Sequence, residues 1–224
     1  MREWFTRGFT RGFMRASLLA VSAGLLLSVP ALGQSSAPLG NERKSSGQAA
    51  LHDAMRKLWE DHITWTRLFI ISAAAELPDK ATVTDRLLQN QVDIGNAIKP
   101  YYGEAAGNKL TALLKEHITT AAEVVAAAKA NDQAKLAAAN QHWLTNADQI
   151  ADFLSSANPK NWPQIEMRSM MHDHLDLTTK EAVARLHGDW AADAKAYDAV
   201  HQQILTMADG LTLGIVRQFP NKFM

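Results

Sequence analysis

Apolar residues recur at alternating steps of three and four along nearly the whole chain from about residue 49, and this spacing marks one face of an α-helix. Breaks at Pro, Gly and Asn-Asp separate six helical segments, expected at about 49–76, 82–99, 104–130, 132–157, 164–187 and 190–218. Period-two alternation typical of strands does not occur. The sequence therefore predicts an all-α protein.

Short turns between these segments favour antiparallel neighbours, so we expect an up-and-down antiparallel helical bundle. It should contain about five long helices and one short irregular helix, the second, because Asp93, Gly95 and Pro100 interrupt that segment. Residues 49–220 are long enough for one bundle domain with a sizeable core. No internal period indicates repeats.

The first 33 residues have the pattern of a secretory signal peptide. Four arginines precede the apolar run "ASLLAVSAGLLLSV" at 16–29, and Ala31 and Gly33 supply small residues before a cut after Gly33. An uncleaved anchor is the alternative, but the run is short for the roughly 20 residues that span a bilayer. Residues 34–48 read as a flexible polar leader. We expect a periplasmic or secreted protein with no stable membrane anchor after cleavage.

Charge and cysteine content exclude several classes of function. The chain has 23 basic and 23 acidic residues, and removal of residues 1–33 shifts the formal charge to −3, so no basic surface for nucleic acid is indicated. There is no cysteine, which excludes disulfides and thiolate chemistry.

Three histidines interrupt the apolar stripes of their helices. His62, His117 and His174 each lie near the middle of a predicted helix, and antiparallel helices of similar length align their midpoints. They should therefore share one layer of the bundle. Asn146 falls in the same layer, and His201 lies close to it.

Two interpretations of this layer stay open. The histidines are either neutral core residues, hydrogen-bonded to groups such as Asn146, or ligands of a transition metal, with copper or zinc as the candidates. Met170 and Met171 lie one turn before His174, where a thioether would suit Cu(I), although ordinary core packing explains methionines as well.

Further polar residues have simpler readings. Glu181 is expected to pair with Arg185 one turn away, the alternative being a polar pocket formed with Arg67. No phosphate-binding loop, dinucleotide fingerprint, nucleophile elbow or His-Glu-x-x-His motif occurs, so the sequence does not favour an enzyme.

Several segments resemble a bacterial family of small all-helical proteins for which no activity is established. They are "LWEDHITWTRLFIIS", "RLLQNQVDIGNAIKPYYG", "WLTNADQIADFLSSANP", "HLDLTTKEAVARL" and "ADGLTLGIVRQFP", and the resemblance spans about 51–220. Automated labels for that family, acetylglutamate kinase and glycosyltransferase, would require α/β patterns that this sequence lacks. The resemblance implies that the recurring polar positions of the family are His62, Arg67, Asp93, His117, Asn146, His174, Glu181 and Asp209. The resemblance also implies that position 201, a histidine here, is a glutamate in relatives.

The leading hypothesis is an exported helical bundle that binds a transition metal or small ligand through its central histidines. The alternative is a structural or interaction module in which the buried polar layer only fixes helix register.

Overall fold

Six long α-helices and a C-terminal 3₁₀ helix make up residues 39–223, the part of the chain that the computed structural model describes. They are α1 (Leu39–Ala75), α2 (Lys80–Tyr102), α3 (Glu104–Lys129), α4 (Gln133–Ala157), α5 (Gln164–Leu186), α6 (Trp190–Gln218) and the 3₁₀ helix Pro220–Phe223. No strand occurs within this range. The predicted all-α class is confirmed.

The helices form a closed ring. Each helix packs on the next, and α6 packs on α1, while α1, α3 and α5 also contact one another across the interior. Because the connections are short, sequential helices run antiparallel. The bundle can therefore be viewed as three helical hairpins, α1–α2, α3–α4 and α5–α6, whose first helices meet at the centre.

Two helices are longer than the sequence pattern predicts. The first helix begins at Leu39, so residues 39–48, expected in the flexible leader, are helical. The second helix is neither short nor irregular, because it continues through Pro100 to Tyr102. Gly95 does not interrupt it but allows α3 to approach: a Cβ at Gly95 would lie 2.6 Å from the carbonyl oxygen of Gly107.

Local signals set the ends of the hairpins. Asp132 caps α4 by accepting from the backbone N–H of Lys135 at 3.1 Å, and Asp189 caps α6 by accepting from Ala192 at 3.0 Å. Gly188 precedes α6 with φ at 72°, a conformation that glycine adopts without strain. These turns help to fix the register in which α4 returns along α3 and α6 returns along α5.

The core fills the space between the helices, and Ile150, Ile204 and Ile215 are completely buried within it. None of the described helices is long and apolar enough to cross a membrane. The predicted signal peptide, 1–33, and residues 34–38 of the predicted leader lie outside the described residues.

Candidate functional site

Three buried histidines meet where the inner helices of the bundle face each other. His62 of α1, His117 of α3 and His174 of α5 are 3%, 3% and 4% exposed. The ring centre of His174 lies 5.8 Å from that of His62 and 6.2 Å from that of His117. The structure thus brings together the three residues that the helix midpoints placed in one layer, and we call them the histidine triad.

Each histidine of the triad contacts a side-chain amide on the second helix of its own hairpin. The Nδ1 atoms of His62, His117 and His174 lie 3.2, 2.9 and 3.2 Å from Gln91 Nε2, Asn146 Oδ1 and Gln203 Oε1. The amide residue follows its histidine by 29 positions in every case. The three hairpins therefore build the same contact.

The orientation of two of these amides fixes the proton on the imidazole. Asn146 donates its NH₂ group to the carbonyl of Leu113 at 3.1 Å, and Gln203 donates to Met170 at 3.0 Å. Their oxygens consequently face the histidines, so His117 and His174 donate from Nδ1–H. In a neutral imidazole the other nitrogen is then an acceptor, which leaves a free lone pair on both Nε2 atoms.

The first hairpin departs from this pattern because two amides divide the contacts that one amide makes in the others: one binds the backbone carbonyl and the other contacts the histidine. Asn90 donates to the carbonyl of Leu58 at 3.0 Å, as Asn146 and Gln203 do in their hairpins. Gln91 instead turns its Nε2 toward His62, Asn90 and the Leu87 carbonyl. His62 Nδ1 is therefore an acceptor, and the proton of this ring is on Nε2.

An internal repeat that the sequence reading missed underlies this geometry. The three triad histidines occur in "MRKLWEDHI" (55–63), "LTALLKEHI" (110–118) and "MRSMMHDHL" (167–175), which share apolar positions, an acidic residue and the histidine. The carbonyl that accepts the amide NH₂ belongs to the residue four before the histidine in each segment. The expectation that the chain has no repeat is therefore wrong.

Burial keeps all three imidazoles neutral. Loss of solvent lowers the pKa of His117 to about 3 and that of His174 to about 4. Loss of solvent, followed by the proximity of His174 and His117, lowers the pKa of His62 well below its usual value. A neutral imidazole can bind a metal or accept a hydrogen bond, whereas a protonated one can do neither.

Unpaired polar atoms collect around the triad. Four buried side-chain polar atoms among the described residues lack a hydrogen-bond partner, and three of them belong to Trp59, Gln91 and Trp143. The Trp59 ring packs against His62 at 5.8 Å, and the Trp143 ring packs against His117 at 5.4 Å. An unpaired buried group costs about 1–3 kcal/mol. Two of these three atoms are indole N–H donors, which suit a water rather than a metal cation.

The side chains as arranged do not form a finished metal site: within residues 39–223, no group of three or more His, Asp or Glu side chains could hold an ion without movement. Imidazoles that share a tetrahedral zinc have ring centres about 5 Å apart, given Zn–N bonds of about 2.0–2.1 Å. The observed 5.8 and 6.2 Å exceed that spacing by roughly 1 Å.

His201 lies outside the triad, although its predicted position was close to the layer. Its Nε2 contacts Glu60 Oε1 at 2.9 Å, and its ring stacks on Tyr197 with centres 6.1 Å apart. Glu60 is on the exposed side of α1. The step of four along α6 therefore places His201 at the edge of the helix face rather than on the interior.

Within the described residues, no hydrogen bond joins the side chains of the other metal or polar-network candidates Asp93, Asp209, Met170 and Met171 to the triad. Asp93 accepts from Gln89 at 3.0 Å on the outside of α2, and Asp209 pairs with Arg56 at 2.8 Å. Met171 is a core residue, 5% exposed, and Met170 contributes its backbone carbonyl to Gln203.

A second buried polar cluster joins α1, α5 and α6. Arg67 Nη1 donates to Glu181 Oε1 and to Asp193 Oδ1, both at 2.8 Å. Arg185 donates to Asp193 at 3.3 Å, so the expected Glu181–Arg185 pair is wrong and Arg67 is the partner of Glu181. Burial raises the pKa of Glu181 to about 7, although Arg67 acts in the opposite direction.

Comparisons of this chain with protein-family models, with curated proteins and with solved structures give no match. The resemblance to the family of small helical proteins therefore stays a prediction.

Sequence reasoning missed several residues of the site, namely Trp59, Asn90, Gln91, Trp143, Asp193 and Gln203. A search for short repeats would have found the three histidine segments. Counting a fixed 29 residues from each histidine would then have identified the amides, because equal hairpins return at equal distances.

Proposed function

We propose that the protein binds a divalent transition metal ion, with zinc as the best fit, at His62, His117 and His174. The observation that carries the proposal is the threefold arrangement of buried neutral imidazoles, each held by a side-chain amide on its outer nitrogen. Three histidines leave a fourth position open on a tetrahedral ion.

The contacts on the outer nitrogens support this assignment. Metal-binding histidines commonly donate their second N–H to an oxygen, which fixes the tautomer and orients the ring. His117 and His174 donate in this way to Asn146 and Gln203. Their Nε2 lone pairs need no deprotonation at neutral pH, because the pKa values of both rings lie far below 7.

Metal binding requires two adjustments. The His174 ring must come roughly 1 Å closer to the rings of His62 and His117, and His62 must transfer its proton from Nε2 to Nδ1. The second change needs rotation of the Gln91 amide, whose Oε1 is buried without a partner. That oxygen would then accept from His62 Nδ1–H as the other two amides already do, at the loss of the donations from Gln91 Nε2 to the Leu87 carbonyl and to Asn90 Oδ1.

The repeat favours zinc over copper. Met170 and Met171 occupy the positions that Leu58 and Trp59 fill in the first hairpin, so both positions are apolar core positions in the repeat. A copper–thioether site therefore has no specific support, whereas three imidazoles and an exogenous ligand suit zinc.

A structural network is the second candidate, and the mixed tautomers favour it. His62 presents an N–H while His117 and His174 present lone pairs, so one water could accept from the first ring and donate to the other two. In that case the polar layer sets helix register and binds no ion.

Export forms part of the proposal and is supported by the signal-like sequence of residues 1–33. The metal would then be acquired in the cell envelope, where the cysteine-free chain has no thiol to oxidise.

Titration calorimetry with zinc tests the function in protein prepared without a histidine tag. His62→Ala, His117→Ala and His174→Ala should each lower zinc affinity at least 10-fold, since each removes one of three ligands. His142→Ala is the matched control, because the His142 side chain is 54% exposed. Equal affinities in all four variants would assign the triad to the structural network.

A further inference from the structure

A cavity of about 110 Å³ lies one helical turn beyond the triad inside the bundle. Thr66 and Thr178, which line it, follow His62 and His174 by four residues. Trp143, which also lines it, packs against the ring of His117. The cavity is therefore adjacent to the histidine layer but formed by different side chains.

The wall of the cavity offers little to a polar guest. The hydroxyls of Thr66 and Thr178 already donate to the carbonyls of His62 and His174, both at 2.8 Å. Most of the remaining wall consists of apolar side chains, with Phe69, Ile70, Ala121, Val124, Val125, Ala128, Leu136, Ala182, Val183 and Leu186 among them. A water needs two to four polar partners, so this space disfavours water.

The volume sets the size of an occupant. Apolar cavities of about 150 Å³ in other proteins stay dry and bind benzene or xenon. The cavity here, at about 110 Å³, is of the same order. A single aromatic ring or a short alkyl chain is therefore the largest guest that fits without rearrangement.

The cavity has a route to the surface between α4 and α5. Asn140 of α4 is exposed, and Val183 of α5 is 41% exposed, yet both belong to the lining. The lining also includes Ile70, which is 2% exposed. The space thus runs from the helix surface inward to the neighbourhood of the triad.

We infer that this cavity binds a small apolar molecule, no larger than one aromatic ring, which enters between α4 and α5. The site is distinct from the metal site, because none of its lining residues belongs to the triad. It does not depend on the proposed function, and metal-free protein is the appropriate sample.

Thermal unfolding with benzene as the probe tests the inference. Saturating benzene should raise the Tm of the metal-free protein by about 2–5 °C, because a ligand of the folded state stabilises it by mass action. Ala182→Leu fills the cavity from α5 and should abolish the rise. Ala182→Val adds less volume, and it replaces the leucine variant in this test if that variant does not fold. It should reduce the rise in Tm.

Ala194→Leu is the control, since Ala194 is exposed on α6 and outside the lining. It should keep the full benzene response. Under xenon pressure, the methyl signals of Ile70 and Val125 in NMR spectra should shift more than those of Ile215, a core residue that does not line the cavity. No benzene response in the parent, or an equal response in the parent and both filling variants, would overturn the inference.

Discussion

The free energy of unfolding should fall steeply between pH 7 and pH 5, because the triad is neutral in the folded chain and protonates in the unfolded one. An imidazole in an unfolded chain has a pKa of about 6.5. In the fold, burial lowers the pKa of His117 to about 3, that of His174 to about 4 and that of His62 well below its usual value. The full free energy of unfolding is therefore present above pH 6.5. It falls as the pH drops from 6.5 toward the pKa values that the triad has in the folded chain.

The magnitude follows from proton linkage. At pH 5 His117 and His174 each take up about one proton only on unfolding, which removes roughly 2 kcal/mol per ring relative to pH 7, or about 4 kcal/mol for the two. His62 acts in the same direction. Glu181 acts in the opposite direction. Burial raises its pKa to about 7, so between pH 7 and pH 5 Glu181 takes up a proton in the folded chain but hardly at all in the unfolded one. This uptake raises the free energy of unfolding by roughly 2 kcal/mol over that range. The net loss should be at least about 2 kcal/mol.

Urea unfolding followed by circular dichroism at pH 7, 6 and 5 measures this loss. His117→Gln should be less stable at pH 7 but should lose about 2 kcal/mol less between pH 7 and pH 5 than the parent. Glu181→Gln should lose about 2 kcal/mol more. The exposed His142→Gln is the control and should follow the parent. Equal stability of the parent at pH 7 and pH 5, or a parent-like dependence on pH in His117→Gln, would show that the triad is not held neutral by the fold.

Three further results are expected. Asn146→Ala should lower the free energy of unfolding by about 1–3 kcal/mol in urea denaturation, because it leaves the His117 Nδ1–H buried without a partner; an unchanged midpoint would show that this amide is dispensable. Arg67→Met should cost about 3 kcal/mol at pH 7, since it removes the cation beside buried carboxylates, and the cost should shrink at pH 5 as Glu181 protonates. N-terminal sequencing of protein from the periplasm should begin within a few residues of Gln34, and a retained Met1 in the membrane fraction would indicate an anchor instead.

The sequence predicts most helix boundaries well because the residues that start and end these helices act locally. Asp132 and Asp189 cap helices where the pattern places them, and Pro163 precedes α5. The second helix is different, since Pro100 lies in its last turn and Gly95 serves a close approach between helices. Both features depend on tertiary position, which a local pattern does not contain.

The triad could be anticipated from helix midpoints, but its hydrogen bonds could not. Periodicity places a histidine on an inward face, whereas the identity of its partner depends on how the returning helix is rotated. The same limit explains the partners of Glu181 and His201. Glu181 pairs with Arg67 across the bundle instead of with Arg185 along its own helix, and His201 faces Glu60 because α6 turns that edge toward the outside.

X-ray absorption spectroscopy of the zinc-loaded protein, prepared without a histidine tag, shows whether three imidazoles of this bundle share one metal ion. We predict a first shell at about 2.0–2.1 Å with the outer-shell scattering of three imidazole rings. His117→Ala should reduce the imidazole count by one, and His142→Ala should leave it unchanged. A spectrum without imidazole scattering, or one that is identical in His117→Ala, would contradict zinc binding by the triad and leave it as a structural network.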